Sequence, residues 1–88
     1  MSKLTDSQER ALKTMALRLR ARGVKMEYQP NQHTIRAYNS RYEVVFNAED
    51  GISWIQGTLI QNAMPYLTAD QREFLISGLT PDEWPYGE

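Results

Sequence analysis

Eighty-eight residues with no cysteine and a formal net charge of −1 describe one small domain that must fold without a disulfide or thiolate–metal staple. The same composition excludes a cysteine nucleophile, and no apolar run approaches the roughly 18 residues that cross a bilayer. The start of the sequence has no signal-peptide hydrophobic region, so the expectation is a soluble, cytoplasmic single domain over residues 1–88.

In chain order, Thr5 or Asp6 opens a first helix, with Asp6 and Glu9 at capping spacing. Leu12, Met15, Ala16 and Leu19 form its apolar stripe, Leu17 falls on the polar side, and Gly23 ends it. Val24, Met26 and Tyr28 then alternate with Lys25, Glu27 and Gln29, the period-two signature of a half-buried strand. Pro30-Asn31-Gln32 is turn chemistry, and His33 to Tyr38 reads as a second strand with Ile35 and Ala37 inward. Asn39-Ser40 turns the chain into a third strand, Tyr42 to Asn47, with Tyr42, Val44 and Phe46 facing the core. As a type I′ signal Asn-Ser is weaker than Asn-Gly and leaves the register open. The outer sheet face then carries Lys25, Glu27, Thr34, Arg36, Tyr38, Glu43 and Val45.

Ala48 to Gly51 reads as an acidic turn. Ile52, Ile55, Leu59, Ile60 and Ala63 share one side of a helix that Pro65 stops at Met64. Thr68 and Gln71 have the form of a capping box, and Gly78 supplies a left-handed stop. Thr80-Pro81-Asp82-Glu83 repeats the start signal before a short terminal turn carrying Trp84. The order α-β-β-β-α-α predicts an α+β fold: a three-stranded antiparallel meander with helices packed on one face.

Chemistry is harder to find. A nucleophilic site needs a base beside its hydroxyl, and His33 is the one imidazole in the sequence. The adjacent pairs Glu49-Asp50 and Asp82-Glu83 do not converge as metal ligands do, and both suit helix starts. The five glycines are scattered, so no phosphate loop exists. The expectation is no enzyme, no cofactor and no metal.

Charge offers more. Residues 1–41 hold nine Lys/Arg and three Asp/Glu, whereas residues 42–88 hold one Arg and eight Asp/Glu. Such segregation arises when the halves attract one another in the fold, or when each half serves a partner. For a protein partner the candidate surface is acidic: Glu49, Asp50, Asp70, Glu73, Asp82 and Glu83, with Trp84. Trp54, Tyr66, Trp84 and Tyr86 are candidate aromatic anchors or core residues. For nucleic acid the candidate surface is Arg10, Lys13, Arg18, Arg20, Arg22, Lys25 and Arg36. Arg18, Arg20 and Arg22 also suit the negative end of the first helix. The early basic residues and the α-β-β-β-α order are similar in topology to a double-stranded-RNA-binding domain. The segment after the third strand, Glu49-Asp50-Gly51-Ile52, is acidic where such domains are basic.

One further likeness is local. Pro65, Leu67, Arg72-Glu73, Leu75-Ile76-Ser77-Gly78, Thr80-Pro81 and Glu83-Trp84 follow a pattern that closes many small bacteriophage and prophage proteins of unassigned function, which residues 61–84 resemble. Pro85-Tyr86-Gly87-Glu88 departs from the usual acidic–aromatic continuation. The resemblance implies a phage-encoded accessory protein. Together with the charge reading, it gives the expectation of a monomer or homodimer that binds a host or phage protein and blocks a nucleic-acid-handling factor through the acidic surface. The alternative is nucleic-acid binding by the basic half.

Overall fold

The computed structural model describes residues 4–83; Trp84 and Tyr86 lie outside the described residues. The fold is the expected α+β domain: helix α1 (Asp6–Arg20), strands β1 (Lys25–Gln29), β2 (Thr34–Tyr38) and β3 (Glu43–Asn47), then helices α2 (Ala48–Ile55), α3 (Ile60–Ala63) and α4 (Ala69–Ser77), with a 3-10 turn at Pro81–Glu83. The strands form one antiparallel meander in the order β1-β2-β3.

Helix α1 starts one residue earlier than the Asp6–Glu9 pair implies. Thr5 is the cap, its hydroxyl accepting from the Gln8 amide at 3.1 Å while the Gln8 side chain accepts from the Thr5 amide at 2.9 Å. The helix closes where Gly23 N–H donates to Arg20 O and Val24 N–H to Leu19 O, which turns the chain directly into β1. Ala11, Leu12, Met15 and Leu19 are its buried side.

Register fixes which residues share each face. Inward rows run Met26–Ala37–Val44 and Tyr28–Ile35–Phe46, with Ile35, Ala37, Val44 and Phe46 buried. Outward rows run Lys25–Tyr38–Glu43, Glu27–Arg36–Val45 and Gln29–Thr34–Asn47. The weak Asn39-Ser40 signal resolves into a four-residue link. Asn39 Oδ1 accepts from the Arg41 and Tyr42 amides at 2.8 and 3.0 Å, which sets Tyr38 opposite Glu43. His33 belongs to the first link rather than to the strand. Its φ of 54° is left-handed, and β2 begins at Thr34.

Two expectations after the sheet are corrected. Ala48–Gly51 is the first turn of α2, because Asn47 Oδ1 caps it by accepting from the Glu49 and Asp50 amides. The single helix expected over Ile52–Ala63 is two. Gly57, at φ 122°, takes a conformation closed to other residues; its N–H donates to Trp54 O and the Thr58 N–H reaches back to Ser53 O. A Ser53–Thr58 hydroxyl pair at 2.8 Å braces the break. Ile52 and Ile60 still reach the core, but Leu59 is 60% exposed.

Helix α4 follows the expected signals. Thr68 and Gln71 form both bonds of the capping box, and Gly78 stops the helix at φ 80°. Tyr66, just before it, bonds to Asn47 and Asp50 at the end of β3. Phe74 packs its ring 5.1 Å from that of Tyr42 near the start of β3, and Gly78 abuts Arg22. The helix therefore runs antiparallel to β3 and closes the core with Phe74 and Leu75. Burying each such side chain contributes roughly 1.5–3 kcal/mol. Among the described residues no helix is long and apolar enough to cross a membrane.

Candidate functional site

The two charged sets fare differently in the fold. Of the acidic set, Glu49 lies 3.5 Å from His33 Nε2, and Asp50 accepts the Tyr66 hydroxyl at 2.8 Å. Both sit at the end of the sheet where β3 runs into α2. Asp82 and Glu83 lie at the opposite end, on Arg41 of the β2–β3 link, at 3.9 and 3.1 Å. Thr80, buried, donates its hydroxyl to Asp82 and its amide to Glu83 Oε1. The Thr80 hydroxyl foremost holds the Asp82 carboxyl below its ordinary range, the Thr80 amide foremost does the same for Glu83, and Arg41 adds to both. Asp70 and Glu73 lie half-buried along α4. The fold thus divides the six described carboxylates between the two ends and α4 rather than gathering them on one face, and it engages four of them internally.

Tyr66 is 54% exposed and tips the Glu49–Asp50 end. Partial burial, followed by the Asp50 carboxylate, pushes its hydroxyl up to about 12, against a lowering from the Asn47 amide. Trp54, another candidate anchor, is half-buried against the core.

His33 is held on both ring nitrogens. Nδ1 pairs with the Tyr28 hydroxyl at 2.9 Å, Nε2 faces Glu49, and the His33 carbonyl accepts from the Ala48 amide. These contacts tie the first hairpin to the start of α2. No grouping of three metal-ligating side chains exists among the described residues.

The basic set divides too. Arg36 occupies the middle of the outer sheet face, donating to Glu43 at 2.8 Å and to Glu27 at 3.2 Å, and lying 3.9 Å over the Tyr38 ring. The bond to Glu43 is the chief influence raising the guanidinium above its ordinary value, and Glu27 adds to it. Arg36 is thereby compensated. Arg10, Lys13, Arg18, Arg20, Arg22 and Lys25 are exposed, and none forms an ion pair among the described residues. Arg22 donates to the Arg18 carbonyl at 2.9 Å, so one of them does serve the helix end.

Helical spacing places Arg10, Lys13, Leu17 and Arg20 in one outward stripe of α1, with Leu17 66% exposed at its centre. Arg18 lies to the side of that stripe. At the lower end of α1 an open groove of about 560 Å³ is lined by Ala16, Arg20, Gly23, Lys25, Met26 and Tyr38, among others. A second depression of about 410 Å³ adjoins it, and Gly23, Lys25 and Tyr38 border both.

Arg20 and Lys25 were legible as basic residues, and Tyr38 as an outer-face aromatic. Gly23, Asn39 and Ser40 were not assigned to any site. Topology held the signal: an antiparallel β1–β2 pair puts the residue before the first strand beside the residues after the second. The chain matches no family model, no curated protein and no solved structure.

Proposed function

We propose that this chain is a non-enzymatic binding module whose partner is nucleic acid, held by the outward stripe of α1 and the start of β1. The observation that carries this reading is the set of six exposed cations without an ion pair among the described residues, two of which, Arg20 and Lys25, flank an open groove with an aromatic wall. A phosphate backbone supplies repeated charges to such a stripe and releases counterions on contact. The outer sheet face does not compete, since Glu27 and Glu43 together outweigh the Arg36 charge at its centre and leave it slightly acidic.

The reading is tested by fluorescence anisotropy with a labelled 20-nucleotide DNA across a salt series. Affinity is expected to fall steeply, with a log–log slope of about −2 to −4 for three to five phosphate contacts. Arg20→Glu/Lys25→Glu is expected to weaken binding about 100-fold at low salt, whereas Arg18→Glu, to the side of the stripe, is expected to change it less than about threefold. Binding that is indifferent to salt, or an equal loss from Arg18→Glu and from the Arg20→Glu/Lys25→Glu pair, would overturn it.

A second reading rests on the other end of the sheet. The exposed Tyr66 ring beside Glu49 and Asp50 has the make-up of a small aromatic-centred protein contact. It keeps the idea of a phage-type protein that occupies a basic surface on a host factor. Pull-down from a bacterial lysate is expected to retain a basic protein that Glu49→Lys/Asp50→Lys releases and Arg20→Glu/Lys25→Glu does not. Release by both pairs, or by neither, sinks this reading.

A further inference from the structure

Tyr38 stands where the groove beside α1 and the depression beside the β2–β3 link meet. One face of its ring carries the Arg36 guanidinium, 3.9 Å away, and Arg36 is itself fixed by Glu43 and Glu27. The ring is therefore held in one orientation from below. It pairs with no other aromatic among the described residues, and its hydroxyl makes no hydrogen bond there.

Space and polar groups surround the ring. A Cβ added at Gly23 would meet nothing within 4 Å, so the floor between helix and ring is open. Asn39 spends its carboxamide oxygen on the Arg41 and Tyr42 amides, which leaves its NH2 group facing away from that turn, and Ser40 is exposed beside it. Lys25 sits directly across from Tyr38 in the register, and Arg20 lines the far side of the groove.

From this arrangement, and resting on the nucleic-acid reading above, we infer that the preferred ligand is single-stranded, with one unpaired base stacked on Tyr38 and the adjoining phosphates on Lys25 and Arg20. A duplex buries the faces of its bases against one another and offers phosphates alone to such a site. An unpaired base has a free face, and stacking on an aromatic ring rewards it whatever its identity. The cation beneath the ring pre-sets the platform, and the Asn39 amide and Ser40 hydroxyl lie where the edge of a base would reach.

Three ligands separate the inference from the reading beneath it: a labelled oligothymidylate, a blunt duplex of equal length, and inorganic polyphosphate as a competitor with charge and no base. The single strand is expected to bind about tenfold more tightly than the duplex. Tyr38→Leu is expected to lose about tenfold on the single strand and nothing on polyphosphate, while Tyr38→Phe keeps the wild-type affinity. Because Tyr38 also carries Arg36, the wild-type protein provides a check independent of folding. Oligothymidylate should shift the Tyr38 ring protons upfield in NMR spectra, and polyphosphate should not. Equal binding of single strand and duplex, or unmoved Tyr38 resonances, overturns the stacking site while leaving the basic stripe intact. No binding to any of the three overturns both.

Discussion

Gly78→Ala is expected to destabilise the domain by about 3 kcal/mol. Two causes add. The residue stands at φ 80°, a left-handed geometry that costs an alanine about 1 kcal/mol. A Cβ there would also overlap the Arg22 carbonyl oxygen and come within 2.9 Å of the Arg22 Cβ. Neither obstacle is the tip of a flexible side chain, so the end of α4 must back away from the turn between α1 and β1 and loosen Phe74 and Leu75. For a domain of this size the change corresponds to a fall in melting temperature of about 15 °C. Gly23 supplies the comparison. It has nearly the same backbone geometry, φ 78°, with open space where its Cβ would go. Gly23→Ala is therefore expected to cost about 1 kcal/mol, the conformational part alone. Thermal melts of the two variants isolate the steric part, and equal melting temperatures would refute the contact between Gly78 and Arg22.

The second large effect is expected at Gly51, where helix propensity and packing pull in opposite directions. Alanine in the interior of α2 gains up to about 1 kcal/mol over glycine by propensity. Its methyl would lie 2.6 Å from Phe46 Cε2 and 3.0 Å from the Met15 methyl. Met15 has rotamers to spare, but the Phe46 ring is fully buried in the inward row of β3 and has nowhere to turn. Packing wins: Gly51→Ala is expected to lose about 2 kcal/mol, read as a lower urea midpoint at unchanged slope. In a Phe46→Leu background the same substitution should cost less than half as much, since the obstacle has been shortened. Additive losses in the double variant would place the strain elsewhere.

Much of this architecture was legible because local signals and packing agreed. The alternation Val24-Met26-Tyr28, the Thr68–Gln71 box and the Gly78 stop each name a single outcome, and the fold adopts all three. Where a residue suits two outcomes, the sequence misled. Gly57 lies on the polar side of an unbroken apolar stripe, and it also has the freedom to end a helix. The stripe runs on across the break because Ile60 returns to the core after it. His33 fits a strand by its neighbours, yet it takes a left-handed turn conformation held by Tyr28 and Glu49.

The candidate site was legible residue by residue and not as a place. Arg20, Lys25 and Tyr38 stood out for charge or aromaticity, but their convergence needs the β1–β2 pairing and the helix–strand turn at Gly23 together. The acidic set illustrates the reverse case. Six carboxylates in one half of the sequence suggested one surface, and strand direction sends Glu49–Asp50 and Asp82–Glu83 to opposite ends.

That separation has an electrical outcome. Asp82 and Glu83 share the end of the strands that carries Lys25 and Arg20, so carboxylates stand at both ends of the sheet and those beside the cations offset part of their charge. A distant polyanion would therefore feel little pull from either end, and attraction would begin only within about a Debye length of the exposed cations.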